Sequence, residues 1–241
     1  MRRIPILLIF LAILHAQQPQ TFEAVSIRQN PSGDQNTQIN RLPGGRLVIV
    51  NATLKTLVRN AYGLLSFQFT GEPNWWDSDK YDINAVIPQS SQITDDQFKP
   101  LLQSLLKDRF HFEAHWETRE GSIYTLLTEK GGPKFHPYDG APEHGMNTSK
   151  TPTKIHMKGT DVPMSELAGN LANQLGRWVE DKTNLTGRYD FTVEWDPQQT
   201  TEGTGPSLFT ALKDQLGLQL KPERGLMKLL VIDHAEKPTA N

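Results

Sequence analysis

The chain has 241 residues, of which 37% are apolar and 22% are charged, a composition typical of ordinary globular proteins. Its 25 basic and 27 acidic residues give a net charge of −2, which provides no overall positive field, so we expect no nucleic-acid partner. The sequence contains no cysteine, which excludes a disulfide framework, a thiolate nucleophile and a cysteine-ligated zinc site.

The first residues have the pattern of a secretory signal. Arg2 and Arg3 precede an apolar run over residues 4–14, and the small residue Ala16 precedes the polar Gln17. The run is shorter than the ~20 apolar residues that span a bilayer, although a retained anchor is the alternative. We therefore predict a signal peptide over residues 1–16, no membrane span in the mature chain, and export to the periplasm or the cell exterior.

Two amphipathic helices are predicted 110 residues apart. Each carries an apolar stripe with i, i+3, i+4, i+7 spacing, which places the stripe on one helical face. The stripes are Leu54, Leu57, Val58, Ala61 and Met164, Leu167, Ala168, Leu171. This spacing is the first sign of an internal repeat.

Three further motifs recur at a slowly shrinking offset. Strands are predicted over residues 81–87, 122–128, 189–195 and 227–233, and helices over 95–110 and 207–216. Turns are predicted at the last motif of each half, before an apolar strand. The matches are Lys80-Tyr81-Asp82-Ile83 with Arg188-Tyr189-Asp190-Phe191, Leu106-Lys107-Asp108 with Leu212-Lys213-Asp214, and Arg119-Glu120-Gly121 with Glu223-Arg224-Gly225.

These elements predict an α+β fold built as a tandem duplication of a β-α-β-β-α-β-β unit. The first domain covers residues 21–136 and has extra strands at 22–28, 38–42 and 46–51. Residues 137–152 lack apolar periodicity and are predicted to be a linker, and residues 153–241 form the second domain. A polar loop is predicted over residues 196–205.

The catalytic and metal-binding signatures are incomplete. Gly205-Pro206-Ser207-Leu208-Phe209 has Phe where a nucleophile elbow needs Gly. His111 and His115 lie in a predicted strand, where a four-residue spacing of about 13 Å prevents them from sharing one ion. The carboxylates from Asp77 to Asp82 lack the glycine and the glutamate of a calcium loop. We therefore predict no catalytic residue, no cofactor and no metal site.

Trp75 and Trp76 are the candidate partner-binding residues. They are adjacent in the turn-rich segment Gly71-Glu72-Pro73-Asn74-Trp75-Trp76-Asp77, so their side chains are expected to point in different directions. Trp is a frequent interface anchor because its large apolar face comes with a polar N–H. The alternative is that both indoles cover the core of the first domain.

Several motifs spread over nearly the whole mature chain carry a resemblance to a known family. They are Phe22-Glu23-Ala24-Val25-Ser26-Ile27, Pro43-Gly44-Gly45-Arg46, Asn51-Ala52-Thr53-Leu54, Asp77-Ser78-Asp79-Lys80-Tyr81-Asp82-Ile83, Leu102-Gln103-Ser104-Leu105-Leu106, Leu185-Thr186-Gly187-Arg188-Tyr189-Asp190-Phe191, Gly205-Pro206-Ser207-Leu208-Phe209-Thr210-Ala211-Leu212 and Val231-Ile232-Asp233-His234. With them the chain is similar to a large paralogous family of acidobacterial exported proteins of unknown function. This resemblance implies no established activity and brings no catalytic residues.

Each half also resembles the small N-terminal domain of secretins and TonB-dependent receptors, through the helix start at 161–167 and a closing strand like that at 229–233. That resemblance implies a periplasmic contact module. We therefore expect an exported, non-catalytic binding module whose partner is a protein or another cell-envelope component. The alternatives are a hydrolase or a small-ligand carrier with its site between the two halves.

Overall fold

A computed structural model describes residues 21–34, 36–87, 93–197 and 205–239. The predicted signal peptide, and residues 198–204 of the predicted loop, lie outside these described residues. The described chain is α+β, which confirms the predicted fold class. Within it, no helix is both long enough and apolar enough to cross a membrane.

The chain forms two compact units. The described part of unit 1 comprises residues 21–34, 36–62, 77–87, 93–111 and 237–239, and that of unit 2 comprises residues 63–76, 112–197 and 205–236. The chain therefore passes from unit 1 to unit 2 and back twice. The domain boundaries near residues 136 and 153 stay a prediction.

Unit 1 is one antiparallel sheet with two helices. Its elements are β1 (Ala24–Gln29), β2 (Gln38–Leu42), β3 (Arg46–Thr53), α1 (Leu54–Tyr62), β5 (Lys80–Val86) and α2 (Asp95–Phe110), and the strand order is β1-β5-β3-β2. The predicted apolar stripe of α1 is buried, as expected. Helix α2 starts at a capping box formed by Thr94 and Gln97 and ends at His111, whose left-handed backbone stops the helix.

Unit 2 contains two sheets. Its elements are β4 (Phe69–Thr70), β6 (Glu113–Thr128), β7 (His136–Pro137), β8 (Gly145–Lys150), β9 (Ile155–Pro163), α3 (Met164–Leu175), β10 (Val179–Asp181), β11 (Arg188–Trp195), α4 (Leu208–Ala211), a π-helical turn (Leu212–Leu216) and β12 (Leu218–His234). One sheet has the order β7-β11-β9-β8 and the other β10-β6-β12-β4. The stripe of α3 is buried against the first sheet.

The predicted linker contains a strand. Strand β8 pairs antiparallel with β9, from Gly145 opposite Thr160 to Lys150 opposite Ile155. It lies at the sheet edge, and four of its six residues are exposed. Because an exposed edge strand needs no apolar face, its polar sequence lacks the periodicity that identifies a strand.

The predicted turns at residues 119–121 and 223–225 are wrong, because Gly121 and Gly225 lie opposite each other in the middle of the β6–β12 pair. A Cβ on Gly225 would clash with the side chain of Ile123, and a Cβ on Gly121 with that of Met227. These glycines therefore make room for neighbouring side chains within continuous strands. The order β-β-α-β-β-α-β occurs twice, from β2 and from β8. The duplication itself stays a prediction.

Candidate functional site

Unit 2 has a groove of about 470 Å³ beside strand β11. Strand β7, the end of the π-helical turn and the outer face of β9 complete its walls. The lining residues are Lys134, Phe135, His136, Tyr138, Glu143, Lys158, Gly159, Thr160, Asp190, Phe191, Thr192, Gln215 and Leu216. Most of them are polar, so the groove suits a hydrated ligand better than an apolar one.

The groove exists because β7 covers only the beginning of the β11 edge. Its two residues lie opposite Tyr189 and Asp190. Before them the chain turns inward at Phe135, which is 7% exposed and packs its ring against Tyr189 and Phe191 at centroid distances of 5.3 and 6.2 Å. Lys134 then donates its backbone N–H to the carbonyl of Leu216 at 2.9 Å and not to β11.

The uncovered part of the edge is the backbone of Thr192. Along an antiparallel strand, alternate residues point their N–H and carbonyl groups to the same side. The carbonyl of Arg188 accepts from the N–H of Tyr138 at 2.8 Å on the β7 side, and Asp190 lies opposite His136. Thr192 therefore directs both backbone groups into the groove, and no described residue bonds to them there.

Two residues further along β11, at the next position that faces the edge, a side chain replaces the missing strand. The N–H of Glu194 donates to Oε1 of Gln215 at 2.9 Å, and Nε2 of Gln215 donates to the carbonyl of Glu194 at 2.8 Å. The primary amide thus satisfies two backbone groups that would otherwise be open at the edge. The open segment is bounded by β7 on one side and by Gln215 on the other.

In unit 1 the matching strand edge, that of β5, is fully paired with another strand. Strand β1 covers six residues of β5, and Ser26 lies opposite Asn84, which matches Thr192 at the 108-residue offset. Arg109 matches Gln215 at the 106-residue offset and donates to the carbonyl of Val25 on β1 at 3.1 Å. The helix end therefore reaches the covering strand in unit 1, and in unit 2 it reaches β11 itself.

Charged groups of both signs line the groove around the open position. Lys158 lies directly opposite Thr192 on β9, and both residues are exposed. Within the described chain Lys158 makes no ion pair, whereas Lys134 donates to the carbonyl of Asp214 at 2.8 Å. Nearby Glu194 accepts from Lys154 at 2.8 Å, and this hydrogen bond lowers the pKa of the Glu194 carboxyl. Lys158 is therefore the cation directly opposite Thr192, while the carboxylates of Glu143 and Asp190 also line the groove.

An ionic cluster holds the other end of the groove. Asp161 has a left-handed backbone at a bulge of β9, and its N–H donates to Oδ1 of Asp190 at 2.9 Å. Its buried carboxylate accepts from Arg188 at 2.5 Å, and Arg188 also donates to Nδ1 of His144 at 2.9 Å. At this end of the groove the bulge of β9 and the ion pair together hold β9 and β11 in place.

Tyr138 lies between that cluster and the groove. Its hydroxyl donates to the carbonyl of Ala141. Desolvation raises the pKa of the phenol, and the surrounding carboxylates, Glu143 foremost, raise it further. A phenol that stays protonated and hydrogen-bonded is no general base, and no hydroxyl that lines the groove is hydrogen-bonded to a histidine. The groove therefore has the groups for binding and lacks a nucleophile paired with a base.

The two indoles predicted from the sequence lie elsewhere in the chain. Trp76 is 5% exposed and packs against Phe69 with ring centroids 5.1 Å apart. Its indole N–H is buried and has no hydrogen-bond partner in the described chain. Trp75 is half-buried. Trp76 is thus a buried side chain and no exposed anchor, and a partner contact by Trp75 stays a prediction.

The two histidines that were considered as metal ligands are separated in the structure. His111 ends α2, while His115 bonds Asp233 on the neighbouring strand at 2.8 Å and Glu117 at 3.3 Å. These hydrogen bonds, the one to Asp233 first, raise the pKa of His115. Among the described residues no group of three His, Asp or Glu side chains is placed to hold a metal ion.

Sequence patterns did not predict the groove, because it results from a strand that is too short. The available signal was a difference between the two segments that match at the 106- to 108-residue offset: Gln215 stands 106 residues after Arg109, and β1 pairs six residues with β5 where β7 pairs two with β11.

Comparison with known proteins identifies one family. The family model described as "Protein of unknown function (DUF3738)" matches residues 55–235. No curated protein and no solved structure matches this chain.

Proposed function

The chain belongs to this family of proteins of unknown function, and we propose that it acts as an exported, non-catalytic binding module of the cell envelope. The observation that carries the proposal is the open backbone of Thr192 in the groove of unit 2. Residues 1–16 support export, since their pattern is the feature from which it was predicted.

The groove favours binding over catalysis. Its polar lining and the cation of Lys158 are suited to hold a ligand, and its phenol is engaged with a backbone carbonyl. A protein or another envelope component is the first candidate partner. A small anionic ligand is the second candidate, favoured by the ammonium group of Lys158 beside Thr192.

The experiment uses the absence of cysteine in the native sequence. A single cysteine introduced by His136→Cys carries a photo-activated crosslinker into the groove without removing Lys158, and Lys150→Cys carries it on the exposed edge of β8 as the matched control. Both variants are expressed with residues 1–16 in the native host and irradiated in intact cells.

The proposal expects processing after Ala16, an extracytoplasmic location, and crosslinked products from position 136 that position 150 does not give. A cytoplasmic location, or identical products from both positions, contradicts it. Products that consist of a low-mass adduct point to the small-ligand candidate.

A further inference from the structure

We propose that the groove binds an extended peptide that adds to the edge of β11 as a further strand and places an acidic side chain beside Thr192. This inference rests on the proposed binding function and specifies the chemistry of its partner. Three observations carry this inference: the open backbone of Thr192, the strand β1 at the matching position in unit 1, and the ammonium group of Lys158, which makes no ion pair in the described chain.

The open backbone determines how the peptide binds. The N–H and carbonyl of Thr192 point into the groove, and those of Glu194 point the same way behind the amide of Gln215. A peptide that pairs with Thr192 gains two backbone hydrogen bonds, and it gains two more if it displaces Gln215. Strand addition of this kind takes its affinity from main-chain hydrogen bonds and its specificity from alternate side chains.

Unit 1 provides the template for the bound state. There β1 runs antiparallel to β5, with Ser26 opposite Asn84 and Ala24 opposite Val86. At the 108-residue offset these two partners correspond to Thr192 and Glu194. In unit 1 the strand β1 fills this sheet position. In unit 2 the strand β7 fills only its beginning, and on this side no strand of the described chain lies beside the edge-facing residues Thr192 and Glu194.

The charge around Thr192 determines the side chain that the peptide presents. The residue opposite Thr192 shares a sheet face with Lys158, because directly opposite residues point to the same side. The added strand would lie about 10 Å from β9, two strand spacings away, and the small Thr192 side chain leaves the path between them open. A lysine and an acidic side chain together reach across this distance, so we assign Asp or Glu to that peptide position.

A second copy of this chain is a poorer occupant of the groove. Two β11 edges that pair around a two-fold axis at Thr192 would place Asp190 of each copy opposite Glu194 of the other, on one sheet face. Like charges that lie directly opposite each other destabilise strand pairing. The described groove therefore fits an acidic peptide better than a copy of itself.

The test uses defined peptides and the mature full-length protein. The probe is the capped heptapeptide Thr-Val-Thr-Asp-Thr-Val-Thr, with a control in which Asn replaces Asp, and binding is measured by fluorescence polarisation. Two further peptides carry N-methyl groups on alternate backbone nitrogens: one peptide is methylated at its odd-numbered residues and the other at its even-numbered residues. Because an added strand uses one set only, one N-methylated peptide is expected to lose at least tenfold in affinity and the other to retain it.

Three protein variants test the individual contacts. Thr192→Pro removes the N–H that faces the groove and keeps the hydrogen bonds to β9, so it is expected to weaken peptide binding at least tenfold. Thr192→Val keeps this N–H and is expected to bind the peptide within twofold of the wild type. Lys158→Ala is expected to weaken the Asp peptide and to leave the Asn peptide unchanged. Melting temperatures check that each variant is folded. If Thr192→Pro unfolds, the N-methylated peptides still test strand addition on the wild-type protein.

Several outcomes overturn the inference. They are equal binding of both N-methylated peptides, undiminished binding to folded Thr192→Pro, no peptide binding at millimolar concentration, and a concentration-dependent dimer that Thr192→Pro abolishes. Binding that depends on Lys158 and not on the edge N–H would contradict strand addition and leave the proposed binding function standing. Crosslinking from position 136 judges that function separately.

Discussion

Gln215 forms a closed pair of hydrogen bonds with the backbone of Glu194, donating to its carbonyl at 2.8 Å and accepting from its N–H at 2.9 Å. In a complete sheet those two groups would bond to a neighbouring strand. The side chain thus stabilises an edge that the fold leaves uncovered, and it also blocks further pairing at that residue.

Removing this amide has opposite expected effects on stability and on peptide binding. Gln215→Ala deletes two hydrogen bonds to the backbone, which contribute about 1–2 kcal/mol together, so the free energy of unfolding falls by that amount. Affinity for the acidic heptapeptide rises, because nothing has to be displaced from Glu194. Urea unfolding and fluorescence polarisation measure the two effects. Gln219→Ala, at an exposed position of β12, is the control that should change neither. A stable Gln215→Ala variant with unaltered affinity would show that the amide has no such role.

The contribution of Gly217 is expected to be steric. Gly217 and Gly176 both end helical segments with left-handed backbones, at φ values of 64° and 60°. Alanine costs roughly 1–2 kcal/mol at either position for the backbone conformation. At Gly217 its Cβ would also clash with the carbonyl oxygen of Gly132, whereas no atom lies within 4 Å of a Cβ at Gly176. Gly217→Ala is therefore expected to lower the melting temperature clearly more than Gly176→Ala, and equal losses in calorimetry would refute the steric argument.

The two tryptophans are expected to respond differently to truncation. Trp76→Ala leaves a cavity beside Phe69 and is expected to cost about 3–5 kcal/mol of unfolding free energy. Trp75→Ala removes a half-buried side chain and costs less. Trp76→Phe keeps a ring in place and removes a buried N–H that has no partner among the described residues, so it is less damaging than Trp76→Ala. Denaturant melts of the three variants rank these losses, and loss of a partner at unchanged stability in Trp75→Ala alone would support the predicted contact.

Much of the fold could be predicted from local patterns. The stripe of α1 and that of α3 lie on the buried faces that their spacing predicted, and α2 has the predicted bounds Asp95–Phe110. The repeated motif around Asp82 and Asp190 also has a structural meaning. Each of these carboxylates accepts the N–H of a left-handed bulge residue on the neighbouring strand, Asn51 or Asp161, at 2.9 Å.

The pairing of distant strands could not be predicted in this way. A sequence pattern shows whether a residue favours a strand and does not show which strand it joins, so the β6–β12 pair was missed. The glycines at its centre have the composition of turns, and only the neighbouring side chains explain them. The groove is still harder to predict from the sequence, because it depends on where β7 ends. The strand ends there because the chain turns inward to bury Phe135 in the core.

The β6–β12 pair changes the expected behaviour of fragments. The sequence predicts a second domain over residues 153–241, but a fragment with these bounds lacks β6 and therefore leaves one edge of β12 unpaired over most of its length. It also lacks β8, the partner of β9. Residues 112–236 keep both pairs and lose only the short β4 with its flanking segment. Thermal melts and amide dispersion are expected to show cooperative folding for residues 112–236 and not for residues 153–241, and the reverse ranking would favour the original boundaries.

The pH dependence of the β6–β12 region is expected to follow His115. The hydrogen bond from His115 to Asp233, and then the one to Glu117, raise the pKa of this histidine above the usual value near 6.5. Since the folded state holds the proton more tightly than the unfolded state, the stabilisation is fully present below about pH 6.5. It is lost as the pH rises through the folded pKa. Proton NMR titration is expected to give a raised pKa in the wild type that falls in Asp233→Asn, and the slope of stability against pH should flatten in the same variant. A pKa that Asp233→Asn leaves unchanged would show that Asp233 does not hold the proton on His115.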